Sequence, residues 1–260
     1  MTIELNDKIK KYIFNNSNKI KINYKDIKKN DIFLALSGKK YHGNKFLFDA
    51  FKFGAKYCIT DKKYKESKKK ENILFVENIY SYLKNISVQK RSLFNGEVIG
   101  ITGSAGKTSL KNLLKETLQI FENTYSSPKS FNNHFGVPIS LSNLSSGNKY
   151  GIFEVGMSKA GEIKNLSKLI QPHIGVITNI GEAHIENFKN INGIAKAKAE
   201  IIETIKENGT IVLNRDDKFF KYLFKKAKLK KIKIITFGKN KKSDIFPLKI
   251  IKSNNFIKIF

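Results

Sequence analysis

Cysteine is nearly absent from this chain of 260 residues: Cys58 is the only one. A single thiol excludes an internal disulfide, and its setting in the apolar run Tyr57-Cys58-Ile59 marks it as a packing residue rather than a reactive one. Long apolar runs are missing too. No stretch approaches the roughly 20 apolar residues that cross a bilayer. Met1 to Lys11 lacks the apolar block of a secretory signal, so no membrane span is expected and a cytoplasmic setting is. Proline is scarce, with four in the chain, and no internal repeat is present. Acidic residues are few, 22 against 49 basic ones, which leaves a formal net charge of +27.

A balance of that sign is the usual footprint of phosphate-backbone binding. Here the lysines are spread along the whole chain and accompany abundant Ile, Asn and Phe, the composition bias of an AT-rich genome rather than a shaped patch. The densest clusters, Lys62 to Lys70 and Lys225 to Lys233, flank or end predicted helices, where solvated charge is the ordinary outcome. No nucleic-acid partner is expected; a steep salt dependence of DNA affinity would be the signature of one. The same positive field would draw anionic nucleotides.

What the chain does have is Val98-Ile99-Gly100-Ile101-Thr102-Gly103-Ser104-Ala105-Gly106-Lys107-Thr108-Ser109: an apolar run, a glycine-rich turn, then Gly-Lys-Thr opening a helical pattern. That order is the grammar of a phosphate-binding loop. Glycines let backbone N–H groups converge on a polyphosphate and the helix adds its N-terminal donors. Lys107 neutralises charge between phosphates, and Thr108 holds Mg²⁺. The strict pattern asks for glycine at position 101, where Ile101 stands; the early glycine sits one place back, at Gly100.

The fold expected is α/β: a small N-terminal α/β substrate domain over 1–90, then a phosphate-loop type, largely parallel central sheet flanked by helices over 91–260. In the first, apolar strands are expected at 32–36, 56–60 and 73–76, with helices around 45–53 and 79–93, and a surface loop or frayed helix over Lys62 to Asn72. In the second, strands at 98–102, 150–155, 174–180, 209–213 and 232–237 alternate with helices at 107–121, 160–170, 191–207 and 216–228. Parallel sheets gather ligands beyond the carboxyl ends of their strands.

Three polar features fall there: the phosphate loop, Glu154 in Ile152-Phe153-Glu154-Val155-Gly156, and His184 after Thr178-Asn179-Ile180. A carboxylate ending an apolar strand needs a partner, either Mg²⁺ beside a nucleotide or a lysine. His184 is either a ligand or a packed histidine. Lys198 falls within the apolar stripe Ile191, Ile194, Ile201 and Ile205, whereas Lys196 points elsewhere. An inward amine would have a depressed pKa and be reactive; the alternative is a stem that packs while the ammonium reaches solvent. Ser130-Phe131-Asn132-Asn133-His134 carries two amides suited to substrate oxygens, or is a polar turn before a helix. Asn214, in Val212-Leu213-Asn214-Arg215-Asp216-Asp217, could reach adenine or ribose, and an Asp-capped helix start explains that stretch equally well.

Together these segments resemble the Mur ligases of peptidoglycan synthesis, and their MurF branch in particular, which adds D-Ala-D-Ala to UDP-MurNAc-tripeptide. The phosphate loop looks like the family's own variant, which accounts for the displaced glycine. Ser130-Phe131-Asn132-Asn133, Glu154-Val155-Gly156-Met157, Gly161-Glu162-Ile163 and Asn179-Ile180-Gly181-Glu182-Ala183-His184 follow in the branch's order. The resemblance implies ATP and Mg²⁺ as cofactors and an ATP-dependent ligase forming an amide through an acyl phosphate. Gly103, Ser104, Ala105, Gly106, Lys107, Thr108, Ser109 and Asn214 would bind nucleotide. Thr108 and Glu154 would hold one metal, and His184 with a carbamylated Lys198 the second. Lys107, Lys198 and His184 would be catalytic, and Asn132, Asn133 and Ser37 would contact substrate. Asp31-Ile32-Phe33-Leu34-Ala35-Leu36-Ser37-Gly38 looks like the family's nucleotide-sugar domain. Asn23-Tyr24-Lys25 and His42-Gly43-Asn44 depart from its Asp-Ser/Thr-Arg and Asp-Gly-His, so no sugar contact is carried over there. The family's third, C-terminal domain has no counterpart, and a truncated reading frame ending on a strand of the central domain, Ile257-Lys258-Ile259-Phe260, is expected. Rival readings are another Mur-type ligase, a folylpolyglutamate synthase, or a non-catalytic ATP-binding fragment.

Overall fold

The computed structural model describes residues 2–15, 19–38, 40–62, 70–253 and 257–259. Most of the Lys-rich stretch over 62–72 lies outside that set. The chain divides into two compact units, Met1–Phe94 with Pro138–Ser146, and Asn95–Val137 with Gly147–Phe260.

The first unit contains α1 (Thr2–Asn15), β1 (Ile20–Lys21), β2 (Ile32–Ala35), α2 (Leu47–Lys52), β3 (Tyr57–Thr60), β4 (Ile73–Phe75) and α3 (Ile79–Ser92). Its strands form a parallel sheet in the order β1-β2-β3-β4. Every residue of β2 and β3 is buried, as strands covered on both faces require, which is why they read as unbroken apolar runs. Phe33, Ala35, Leu47, Ala50, Cys58 and Ile73 form its core. Burial also pushes the Cys58 thiol up from its ordinary pKa, so the thiolate is suppressed and the residue packs. Helix α1 was not expected: among its described side chains only Ile9 and Ile13 are buried, too sparse a stripe to stand out. Residues 138–146 join this unit through Asn143, whose amide accepts from the Ile20 N–H at 2.7 Å and donates to the Ile20 carbonyl at 3.0 Å. One side chain thereby satisfies the edge of β1 as a neighbouring strand would.

The second unit runs β5 (Glu97–Thr102), α4 (Lys107–Gln119), β6 (Thr124–Ser126), α5 (Gly136–Ser142, which continues into the 138–146 segment), β7 (Tyr150–Glu154), α6 (Glu162–Ile170), β8 (Ile174–Ile177), α7 (Ile191–Thr204), β9 (Thr210–Asn214), α8 (Phe220–Lys230) and β10 (Lys233–Phe237). All pairs in its six-stranded sheet, β10-β9-β8-β5-β7-β6, are parallel. Leu110, Leu114 and Leu118, one face of α4, pack on Ile99, Ile101, Ile152 and Val176 of the sheet. After β5 the chain passes to the edge at β6, comes back to β7 between β6 and β5, and then crosses to β8 on the other side of β5. The order therefore reverses at β5, and a crevice opens at its carboxyl end.

Among the element ends that differ from expectation, two do so for one reason: polar side chains are consumed by turns. Strand β8 stops at Ile177 rather than Ile180 because Thr178 and Asn179 bend to bond Ala105. Helix α8 starts at Phe220 rather than 216 because Asp217 accepts from the Phe219 N–H, while Asp216 accepts from those of Lys239 and Asn240. The strand expected at the end of the central domain is β12 (Ile257–Ile259), which belongs to the second unit and pairs antiparallel with β11 (Ile250–Lys252) in a ribbon of its own, apart from the six-stranded sheet. All of β11 is exposed, which a strand inside a two-face-covered parallel sheet cannot be. Phe260 lies outside the described residues.

Candidate active site

Gly103 leaves β5 with a φ of 149° and Gly106 starts α4 with a φ of 79°, conformations that a Cβ would strain. Between them the loop is held by the segment after β8. The Ser104 N–H donates to the Asn179 carbonyl (3.0 Å) and the Ala105 N–H to Asn179 Oδ1 (2.9 Å). The Thr178 hydroxyl donates to the Ala105 carbonyl at 2.6 Å, and Ser104 Oγ accepts from the Gly181 N–H and donates to its carbonyl. The clasp is itself anchored, since Asp217 accepts from the Ile180 N–H at 2.6 Å and Asn214 Nδ2 donates to the Thr178 carbonyl at 3.2 Å. Asn214 Oδ1 also accepts from the Asp216 N–H, so this amide shapes the strand-end turn.

At Gly103 a Cβ would stand 1.8 Å from Thr178 Oγ1. Gly103→Ala is expected to cost about 3 kcal/mol, through backbone strain and the displaced Thr178 together. A urea midpoint that is unchanged, with nucleotide binding unchanged, would show that the loop yields without cost.

Lys107 donates to the Gly103 carbonyl at 2.8 Å, and burial lowers its pKa while nearby Glu154 opposes the shift. Thr108, the next residue, donates its hydroxyl to Glu154 Oε2 at 2.8 Å. Glu154 ends β7 only 1% exposed, with Asn132 Nδ2 donating to Oε1 at 2.7 Å. The carboxylate also has a lysine: Lys111 Nζ lies 3.7 Å from Oε2. Of the two partners weighed for Glu154 from sequence, Mg²⁺ or a lysine, the lysine stands beside the carboxylate, together with the phosphate-loop threonine's hydroxyl. Lys111 was missed in the sequence. Its only local signal is its spacing of one helical turn from Lys107, which puts both on one face of α4.

The polar turn before α5 divides its amides. Asn132 goes to Glu154, whereas Asn133 Oδ1 accepts from the N–H groups of Phe135 and Gly136 at 3.2 and 2.8 Å and caps the helix. Lys198 lies on α7, 2% exposed, while Lys196 is exposed, so the periodicity placed both correctly. Burial, with the Lys107 ammonium nearby, lowers the Lys198 pKa to about 8. Glu200 fixes α7 against α6, accepting from the N–H groups of Gly161 (2.7 Å) and Lys164 (3.0 Å) at the α6 N-terminus. His184 has a φ of 63° and a side chain half in solvent, with Nδ1 3.8 Å from Glu186 Oε1. Ser109 is exposed on the first turn of α4. Ser37 is exposed in the first unit at the end of β2, bridged to His42.

A hydroxyl and a carboxylate in contact at the mouth of a phosphate loop form a hard-oxygen donor pair of the kind Mg²⁺ takes. For a second cation, no group of three or more His, Cys, Asp or Glu side chains stands close enough among the described residues.

A parallel sheet whose central strand feeds a glycine-rich loop and helix defines a nucleotide-binding α/β protein. The profile of the Mur ligase middle domain matches residues 101–259. The chain is 36% identical over 229 residues to the UDP-N-acetylmuramoyl-tripeptide–D-alanyl-D-alanine ligase of Rickettsia prowazekii (strain Madrid E), which covers 88% of this chain and 51% of that protein. Among solved structures, a MurF from Acinetobacter baumannii superposes with a TM-score of 0.77 at 29% identity, over 93% of this chain and 52% of the other. MurF from Thermotoga maritima in complex with ADP gives a TM-score of 0.76 at 28% identity, over 95% and 56%. The chain belongs to the Mur ligase family, in its MurF branch. It spans about half the length of the curated relatives it matches.

Proposed function

We propose that this chain carries the ATP-binding, carboxylate-activating part of a ligase that joins D-Ala-D-Ala to UDP-MurNAc-tripeptide in peptidoglycan precursor synthesis. The observation that supports it most directly is the convergence of Lys107, Thr108 and Glu154 at the carboxyl end of the central strand. The substrates are those of the similar UDP-N-acetylmuramoyl-tripeptide–D-alanyl-D-alanine ligases. A cytoplasmic site is part of the proposal; among the described residues no helix is long and apolar enough to cross a membrane.

In this reading the loop N–H groups and Lys107 hold the triphosphate, with Thr108 and Glu154 as the ligands of one Mg²⁺. The metal would supply charge neutralisation between triphosphate and carboxylate, which otherwise repel. A muropeptide carboxylate oxygen attacks the γ-phosphorus, the bond to ADP breaks, and an acyl phosphate results. The dipeptide amine then attacks the acyl carbon, phosphate leaves and an amide forms. The protein contributes position and preorganised charge. Lys198, if its amine adds carbon dioxide as the family resemblance implies, would present carboxylate oxygens towards a second metal beside His184. Asn132, Asn133 and Ser37 remain the proposed muropeptide contacts, and Asn214 and Ser109 the outer nucleotide contacts.

The test is ADP release from this polypeptide with Mg-ATP, UDP-MurNAc-tripeptide, D-Ala-D-Ala and bicarbonate, beside a nucleotide titration. Dipeptide-dependent ADP release with amide product is the expected result for a working ligase. ATP binding without product would reduce the chain to a nucleotide-holding fragment, and no ATP binding would overturn the reading.

A further inference from the structure

Lys111 is a buried cation beside the site that the reaction described above does not use. It sits on α4, 1% exposed, among the largest fully buried side chains of the protein. Its ammonium reaches two places. It lies 3.7 Å from Glu154 Oε2, and it donates a hydrogen bond to the backbone carbonyl of Lys129. Lys129 is in the left-handed region, with a φ of 48°, a conformation a side chain seldom takes without a compensating contact. Three residues further on, Asn132 donates to the other oxygen of the same carboxylate at 2.7 Å, and its carbonyl accepts from the Gly156 N–H at 2.8 Å. At the near end of this loop the Ser127 hydroxyl accepts from the Glu154 N–H at 3.3 Å.

The loop between β6 and α5 is thus fastened to Glu154 at Ser127 and Asn132, and to the phosphate-loop helix at Lys129. Two side chains of α4 touch both the carboxylate and the loop that carries Asn132: Thr108, whose hydroxyl also stands 3.5 Å from Ser130 Oγ, and Lys111, the one of the two that bonds the loop backbone. We propose that Lys111 is a positioning residue: by tying the Lys129 carbonyl to α4 and lying against Glu154, it holds the Glu154 carboxylate in the attitude that Thr108 meets, so that magnesium-dependent nucleotide binding depends on it. An ammonium is also a competing positive charge near a metal ligand. If that were its main effect, removing it would tighten magnesium binding. The geometry favours positioning, because its hydrogen bond goes to the loop carbonyl while the carboxylate stands beyond hydrogen-bonding distance.

This inference rests on Glu154 being the magnesium ligand. The experiment uses the full 260-residue chain and titrates ADP with and without Mg²⁺ by calorimetry, for wild type, Lys111→Met and Lys111→Arg. Lys111→Met is expected to raise the half-saturating Mg²⁺ concentration about tenfold while changing metal-free ADP affinity less than about twofold. Lys111→Arg, which keeps a donor and a charge, is expected to return the magnesium requirement to within about threefold of wild type. An unchanged or lower magnesium requirement in Lys111→Met overturns the proposal, as does an equal loss of metal-free and metal-dependent binding, which marks a general structural role. A wild-type chain whose ADP binding ignores magnesium would instead fell the functional reading itself.

Discussion

Lys107→Met is expected to weaken Mg-ATP binding by about 30- to 100-fold, equivalent to ~2–3 kcal/mol for hydrogen bonds to a charged phosphate. The folded chain is expected to lose no stability. In the structure this ammonium donates to the Gly103 carbonyl at 2.8 Å, and burial holds its pKa below the ordinary lysine value. Folding thus buries a charge at a cost that the nearby Glu154 carboxylate offsets only in part, and an apolar side chain of similar length relieves that cost. Opposite signs for binding and stability identify a ligand-directed lysine. Calorimetric titration and urea denaturation of the same two proteins measure both, and a variant that binds Mg-ATP as tightly as wild type would remove Lys107 from the phosphate site.

Lys198→Met carries the largest pH-dependent effect. With a folded pKa near 8 against the ordinary 10.5, the folded chain gives up this proton more readily than the unfolded chain does. Between those two values the unfolded state binds more protons, so the group's contribution makes stability rise with pH across that window. Below about pH 8 the full penalty of burying the ammonium applies, about 3 kcal/mol from the width of the shift. Lys198→Met is therefore expected to be more stable than wild type by about that amount at pH 7, with the advantage vanishing towards pH 10.5. Because Lys90 also has its pKa lowered to about 8, the difference between the two proteins, and not the wild-type curve alone, isolates the group. Urea midpoints at pH 7, 8.5 and 10 would show it; a pH-independent difference would mean that the ammonium reaches solvent after all. The cost of keeping a lysine there is the physical sign that the position is held for its amine.

Much of the site was readable because it is local in sequence. The phosphate loop lies within one strand, one turn and one helix, so glycine spacing and the switch from an apolar run to Gly-Lys-Thr were enough to place it. Lys198 was readable for a related reason: helical periodicity reports which face of α7 is buried, and Ile194, Ile201 and Ile202 carry a lysine in with them. Glu154 was readable as a strand-end carboxylate, although two kinds of partner remained open for it. The side chains that decide its surroundings come from segments far apart, and no pattern along the chain pairs Lys111 with the Lys129 carbonyl or Asn132 with Glu154.

The same division runs through the fold. Strands β2, β3, β5 and β8 are covered on both faces and appear as apolar runs whatever their neighbours, so composition and order determined a parallel α/β architecture. Helix α1, with a sparse stripe, and the 138–146 segment, whose place depends on Asn143 meeting the edge of β1, needed the folded chain. So did the clasp of Thr178, Asn179 and Gly181 on the phosphate loop, where strand pairing of β5 with β8 brings together residues more than seventy positions apart. By itself the sequence determined where the covered strands, the buried face of α7 and the glycine-rich loop lie, because these follow from periodicity and local backbone chemistry. Which buried polar group faces which was decided only by tertiary structure, since hydrogen bonds and ion pairs act over a few ångströms in space and leave no period along the chain.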